Sequence, residues 1–243
     1  MIEYLDLSFP SPHPNLACDE ALLDFCEEGY PGEILRFWQS SDYFVVLGYS
    51  NKIQDEVNIN SCSSYNIPIL RRPSGGGTVL QGPGCLNYSL ILNIDKRPAL
   101  KTITSATEFI MRTHQKAVIQ LTALENIRIE GVSDLALEGL KFSGNAQRRK
   151  KDFMLFHGTF LLDMDISAIE KYLSIPAKQP AYRTGRTHED FLTNLGVCSE
   201  KLKQALQESW KAYTPFPHLK SVGEKIESLV QEKYSRIEWN EKF

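Results

Sequence analysis

The stretch Arg71-Arg72-Pro73-Ser74-Gly75-Gly76-Gly77-Thr78-Val79 sets two arginines against three consecutive glycines. An apolar run, Ile67 to Leu70, leads into it, and a strand-like run, Leu86 to Ile94, follows. Such a segment makes a poor core and a good anion site. Glycine admits positive φ and lets backbone come close to a ligand. Successive backbone N–H groups then cup a phosphate or carboxylate, and Arg71 and Arg72 add charge-assisted bonds. The competing reading is a glycine-rich hairpin turn beside a solvated arginine pair, and the segment alone supports both. Two phosphate-binding designs are excluded. No Gly-Lys-Ser/Thr follows at the Walker spacing, and the glycines are contiguous instead of in G-x-G-x-x-G order before a helix.

Residues Val132 to Leu162 carry a second signal, VSDLALEGLKFSGNAQRRKKDFMLFHGTFLL. Leu135 to Leu140 is apolar except for Glu138 and the turn residue Gly139, and Phe153 to Leu162 is apolar except for His157-Gly158-Thr159. The pattern predicts antiparallel strands joined by short turns, with Lys141 on the second. Lysine is depleted in strand interiors. Lys141 is therefore either a solvent-facing edge residue that blocks aggregation or a functional one.

Taken in order, these segments resemble the lipoate–protein ligase A family, within the larger biotin/lipoate ligase group. Two further pieces agree. Asn15-Leu16-Ala17-Cys18-Asp19-Glu20-Ala21-Leu22-Leu23 resembles the family's first helix, and Trp38, Val45-Val46-Leu47-Gly48 and Asn51 resemble its next strand and loop. The resemblance covers about residues 2 to 165. It implies an α+β fold, with a mostly antiparallel central sheet flanked by helices, as in the class II synthetase-like catalytic domain of biotin/lipoate ligases.

The resemblance also implies acyl-adenylate chemistry. Lipoate is activated with ATP and Mg2+ to lipoyl-AMP and pyrophosphate. The lipoyl group then passes to a lysine on a lipoyl domain of a 2-oxoacid dehydrogenase complex, or on the glycine cleavage H protein. By the matched motifs, Lys141 is the catalytic lysine that contacts the acyl carbonyl and phosphate. Arg72, Ser74, Gly75, Gly76, Gly77, Val79 and Gln81 match the segment that wraps the acyl-adenylate. Ser143, Gly144, Asn145 and Ala146 continue the lysine strand beside it, and His157, Gly158 and Thr159 match the site wall. Asp134 matches the acid near the adenylate and the metal.

The physical roles follow from the charges. Carboxylate and ATP are both anions, so a lysine ammonium between them acts as a compact point charge with three donors. The mixed anhydride is reactive, so the pocket must exclude water. Lipoate's chain is apolar, and the runs Phe44 to Leu47 and Leu155 to Leu162 offer a lining for it or ordinary core.

Three departures from the family pattern stand out. Gln81 replaces a histidine common two residues after the valine of the glycine segment, and glutamine cannot titrate. Tyr49 stands where an arginine often follows the Val45 to Gly48 run. Many members also carry a C-terminal accessory domain that closes the adenylation site, and the chain is too short for a full copy. Residues 1–243 are thus expected to form a single catalytic domain, with adenylation weak unless a separate accessory protein or the chain's own last segments supply closure.

Composition fits an enzyme of one large domain. The 243 residues can bury a sizeable core. At 42% apolar, 23% charged and a net charge of −3, nothing points to nucleic acid. The basic run Arg148-Arg149-Lys150-Lys151 is either a solvated hairpin end or a face for an acidic partner, as lipoyl domains often are. The five cysteines are odd in number and form no C-x-x-C pair, which predicts free thiols in a reducing cytoplasm. The N-terminus MIEYLDLSFP lacks a basic region, so no signal peptide is predicted. No apolar run approaches the ~18 residues of a membrane span.

Periodicity places a helix over Leu16 to Glu27 capped by Asn15, strands over Ile34 to Trp38 and Tyr43 to Leu47, and a long helix over Thr104 to Leu124. Helices are also predicted over Ile166 to Leu173, Ser199 to Ala212 and Ser221 to Glu232. The segment Ile175 to His188 is a long, basic, proline-containing loop, and such loops are often functional. Arg183 and Arg186 are either phosphate ligands or solvated.

Two other functions stay open. One is an octanoyl or lipoyl transferase, fed by an acyl carrier, on the same fold. Such enzymes use a cysteine nucleophile, with Cys85 or Cys198 the candidates here, although buried structural cysteine is the commoner fate. The other is a non-catalytic binder of the acyl group or of lipoylated domains. Biotin is disfavoured, because the arginine-rich glycine loop typical of biotin ligases is absent.

Overall fold

The computed structural model describes residues 1–176 and 178–243. Ala177, within the loop predicted over Ile175 to His188, lies outside the described residues. The chain opens with β1 (Ile2–Asp6), α1 (Pro12–Glu27), β2 (Glu33–Trp38), β3 (Phe44–Leu47), α2 (Ile53–Glu56), α3 (Ile59–Ser64), β4 (Ile69–Arg71) and β5 (Val79–Gln81). It continues through β6 (Cys85–Asn93), α4 (Ile103–Thr122), β7 (Ile127–Glu130), β8 (Asp134–Leu137), β9 (Leu140–Arg149), β10 (Phe153–Leu161) and α5 (Ile166–Tyr172). The last part holds α6 (His188–Phe191), α7 (Ser199–Trp210), β11 (Thr214–Pro215), α8 (Leu219–Leu229) and α9 (Ile237–Asn240).

The fold is α+β, as the resemblance implied. A large sheet runs in the order β11-β1-β2-β6-β10-β9-β8-β7, antiparallel from β2 onward. A small sheet, β4-β3-β5, lies apart from it. Strand alternation sorts the large sheet's side chains into two cores. Leu35, Phe37, Tyr88, Leu90, Met154 and Phe156 face α4 and α7, while Ile34, Trp38, Ile91 and Leu155 face α1 and α8. A third core joins the small sheet to α5. No helix among the described residues is long and apolar enough to cross a membrane.

Two sequence expectations change. Asn15 is not the cap of α1, because Pro12 and Pro14 start the helix earlier, where proline's missing N–H costs nothing. Asn15 lies buried inside the helix and brackets Phe9 with both amide atoms. The runs Phe44 to Leu47 and Leu155 to Leu162 are mostly core, as of their apolar side chains only Val46 and Leu161 reach the cavity described below.

His114 fastens α4 and α7 onto the sheet. It is fully buried, accepts a bond from Trp210 Nε1 at 2.9 Å and meets Tyr88 edge-on. Burial pushes its pKa down to about 3. The unfolded chain takes up that proton near pH 6.5 and the folded chain does not. The stability is therefore intact above pH 6.5 and is lost progressively as the pH falls toward 3. By this group alone, about 2 kcal/mol of the stability at pH 8 is gone at pH 5. His114→Gln, which still offers Trp210 an acceptor, should be less stable at pH 8 but lose less between pH 8 and 5. Urea unfolding at both pH values checks this, and equal losses in the two proteins would count against it.

Candidate active site

A cavity of about 500 Å³ opens between the two sheets. Its floor is the α1-facing side of the large sheet, where two cross-strand rows meet. One row runs Arg36, Ser89, His157, Ala146, and the next runs Trp38, Asn87, Thr159, Gly144. Val46 of β3 and Val79 and Gln81 of β5 close it from the small sheet.

Lys141 reaches the cavity because β9 is bulged. Leu135 pairs with Ser143 but Ala136 pairs with Lys141, which leaves Phe142 as an extra residue. Phe142 enters the core beside Phe160, and the bulge re-aims its neighbour. The backbone of Lys141 is also pinned, since Thr193 N–H donates to its carbonyl at 2.9 Å. The Lys141 ammonium lies 2.8 Å from Asp134 Oδ1. Tyr182 donates to Asp134 Oδ2 at 2.8 Å. Gly144 provides the room, as a Cβ there would sit 2.9 Å from both Cε and Nζ of Lys141.

The glycine segment is organised by Arg72. Its guanidinium donates to the Gly75 and Gly77 carbonyls at 2.7 Å each, to Val46 O at 3.3 Å and to Ser74 Oγ at 3.1 Å. Gly76 turns at φ +90°, and its carbonyl approaches Gly48 so closely that a Cβ on Gly48 would meet it at 2.1 Å. Arg72, Gly76 and Gly77 line the cavity, whereas Ser74 and Gly75 do not. Ser74 is buried behind the wall, 2.6 Å from His157 Nε2.

Arg71 does not serve an anion. It is buried, away from the cavity, and its N–H groups are spent on the carbonyls of Gly48, Tyr49, Asn51, Trp239 and Asn240. Trp239 and Asn240 of α9 also bond its main chain. The arginine pair therefore divides, with Arg71 holding the C-terminal turn and Arg72 the loop.

Two features of the site were not expected from sequence: Asp19 at the wall, and the way Gln81 and Thr159, both expected there, are joined through Asn87. Asp19 of α1 sits on the cavity wall, 2.5 Å from Arg36 Nη1 and 3.5 Å from His157 Nδ1. Burial pushes the Asp19 carboxyl up, but the Arg36 guanidinium and the His157 contact outweigh it and hold it below the usual carboxylate range. Gln81, Thr159 and Asn87 form a closed ring. Gln81 Nε2 donates to Thr159 Oγ1 at 2.7 Å, Thr159 donates to Asn87 Oδ1 at 2.5 Å, and Asn87 Nδ2 donates to Gln81 Oε1 at 2.8 Å. The loop singled out in the sequence over Ile175 to His188 contributes Pro180 and Arg183 to the cavity lining.

Asn145 lines the cavity and is fixed by Tyr88 and Ser133. Gly158 leaves room for it, because a Cβ there would strike Asn145 Oδ1. Ser143 lines the same region. The basic run is largely occupied, with Arg148 on Pro73 O, Arg149 on Leu100 O and Lys150 on Asp24. Lys151 extends into solvent.

No cysteine among the described residues lines the cavity. Cys85 is fully buried against Met164, and burial pushes its thiol up to about 12. Cys198 is exposed ahead of α7, with its thiol on Glu200. Among the described residues no group of three or more His, Cys, Asp or Glu is arranged to hold a metal ion. Both Asp134 oxygens are engaged by Lys141 and Tyr182, so the residues present do not form a resident metal site.

Comparison with known proteins agrees with this fold. Residues 11–211 match the lipoyl protein ligase A/B catalytic domain. Octanoyltransferase LipM of Geobacillus kaustophilus is 26% identical, over 98% of this chain and 96% of that protein. The probable lipoate-protein ligase A of Mycoplasma pneumoniae is 28% identical, over 94% of this chain and 68% of that protein. A crystal structure of a lipoate-protein ligase A bound with ATP shares the fold, with a TM-score of 0.82 at 24% identity over 98% of both chains. With a family match spanning most of its length, and with the glycine segment and Lys141 on one cavity, this chain belongs to the lipoyl protein ligase A/B catalytic domain family.

Proposed function

We propose that the chain is a lipoate–protein ligase working through lipoyl-AMP. The observation that carries this reading is Lys141, an ammonium held by Asp134 at a cavity whose described walls contain no cysteine. In the first half-reaction a lipoate carboxylate oxygen attacks the α-phosphorus of ATP and pyrophosphate leaves. In the second, the amine of a lipoyl-domain lysine attacks the acyl carbon and AMP leaves. Lys141 faces negative charge in both steps and is already held in place by Asp134, so it stabilises that charge with little reorganisation. Asp134 and Tyr182 position it. The backbone of Gly76 and Gly77, braced by Arg72, lies against the nucleotide. Magnesium is expected to arrive with the ATP phosphates, which supply most of its ligands. The ATP-bound ligase of the same fold is in keeping with that substrate.

The second reading is an octanoyltransferase, which the relatives named LipM favour by matching nearly the whole of both chains. A covalent transferase needs a nucleophile at the acyl carbon, and Cys85 is sealed in the core. Mass spectrometry of a lipoyl domain incubated with the protein decides between them. Modification should require lipoate and ATP, and should survive Cys85→Ser and Cys198→Ser together. Modification from an octanoylated acyl carrier without ATP, with a thioester trapped on either cysteine, would establish the transferase.

Two substitutions test the lysine. Lys141→Ala should fold normally and lose about 3 kcal/mol of transition-state stabilisation, more than 100-fold in transfer. Gly144→Ala places a methyl against Nζ and should displace the ammonium. Its Tm should stay within about 2 °C of wild type, because the clash is with the end of a flexible side chain, while transfer falls at least about tenfold. Normal transfer from lipoate and ATP in Lys141→Ala would remove Lys141 from the mechanism.

A further inference from the structure

Arg183 differs from the other buried arginines. Arg71 and Arg72 spend their guanidinium donors on backbone carbonyls and Ser74, and Arg36, although its Nε is also buried without a partner among the described residues, has the Asp19 carboxylate on Nη1. Arg186, three residues on from Arg183, donates to the carbonyls of Gly139, Tyr182 and Arg183. Arg183 is only 4% exposed and lines the cavity. Its Nε donates to Arg186 O at 2.9 Å, and its guanidinium lies 4.9 Å from the Phe191 ring centroid. Its Nη2 is buried with no partner among the described residues. The nearby carboxylate of Glu170 is taken by the main-chain N–H and Nδ1 of His188. Burial pushes the Arg183 guanidinium down from its ordinary value, more than the opposing pull of the Glu170 carboxylate raises it.

A buried, unmatched guanidinium on a ligand cavity is a site for an anion, because the unmet donor costs free energy until one arrives. The position of Arg183 suggests which anion. Its neighbour Tyr182 is bonded to Asp134, which holds Lys141. Arg183 therefore sits one residue from Tyr182, whose hydroxyl holds the carboxylate that pairs with Lys141. Lys178, on the same loop, also lines the cavity.

We infer that Arg183 binds the β- and γ-phosphates of ATP and stabilises the departing pyrophosphate, acting in adenylation and not in lipoyl transfer. This rests on the ligase reading above. In adenylation the carboxylate oxygen bonds to the α-phosphorus while the bond from that phosphorus to the bridging oxygen breaks. The electron pair goes to pyrophosphate, and the Arg183 N–H groups meet the added charge. In transfer the amine nitrogen bonds to the acyl carbon, the carbon–oxygen bond to AMP breaks, and the amine proton passes to solvent. No pyrophosphate takes part in that step.

The test separates the half-reactions in Arg183→Gln and Arg183→Lys. Lipoate-dependent exchange of labelled pyrophosphate into ATP should fall about 100-fold in Arg183→Gln and less in Arg183→Lys. Single-turnover transfer from synthetic lipoyl-AMP to a lipoyl domain should stay within about threefold of wild type in both, which also shows that they fold. Exchange that persists at the wild-type rate, or equal losses in both half-reactions in both variants, would overturn the inference. If the wild-type protein itself shows no exchange, Arg183 is judged by pyrophosphate binding alone, and the ligase reading fails as well if transfer from lipoyl-AMP is also absent. A thermal shift with inorganic pyrophosphate that Arg183→Gln abolishes would then support the anion site, and no shift in wild type would reject it.

Discussion

The site depends on a charge placed where the fold least tolerates one. Arg36 sits mid-strand in β2, fully buried, facing α1. Its two terminal nitrogens donate to Asp19, to both oxygens of Asn15 and to Leu7 O, while its Nε is buried without a partner among the described residues. A buried ion pair of this kind contributes little net stability, since desolvation offsets attraction, yet removing one partner costs about 3–5 kcal/mol. What it fixes is position. Asp19 reaches His157, His157 reaches Ser74, and Ser74 reaches Arg72, which shapes the glycine turn. Helix α1, the central strands and the glycine loop are thereby held in one register around the cavity.

That chain explains which parts of the site could be read in the sequence. The glycine segment and the Lys141 hairpin are local, so their residue types and spacing announce them. Asp19 and Arg36 lie 17 residues apart and meet only when α1 folds over β2. A signal was present all the same. Arg36, Asn87, Ser89 and His157 interrupt strands whose other residues are almost all buried and apolar, and they share one face by period-two alternation. A polar row inside a sheet covered on both faces marks a site, because such groups are expensive there unless they have partners.

The misreadings have the same origin. Arg71 and Arg72 are adjacent in sequence, but alternation sends them to opposite sides of β4. One meets a C-terminal turn that comes from 168 residues away, and the other meets the glycines. Nothing local to Arg71 reveals Trp239 and Asn240. Asn15 has the residue type of a cap, and only the prolines before it show that the helix has already begun. Arg183 and Arg186 look equivalent in the loop, and the structure separates them by whether their donors find carbonyls.

Gln81 illustrates how a departure from a family pattern can be absorbed. A histidine at this position would carry a titrating charge beside the cavity. Glutamine instead completes a ring with Thr159 and Asn87 in which every member both donates and accepts. A polar group whose bonds are satisfied internally costs far less to bring against apolar surface than an unpaired one. On the ligase reading, the cavity floor beside Trp38 can therefore accept an aliphatic acyl chain despite three polar side chains. The charged Asp19 on the wall is paired with Arg36, and on the same reading Lys141 and Arg183 face the phosphates at the far end. On the ligase reading this arrangement would suit an apolar lipoate chain and an anionic ATP, and the ring itself stays neutral at any pH at which the protein is folded.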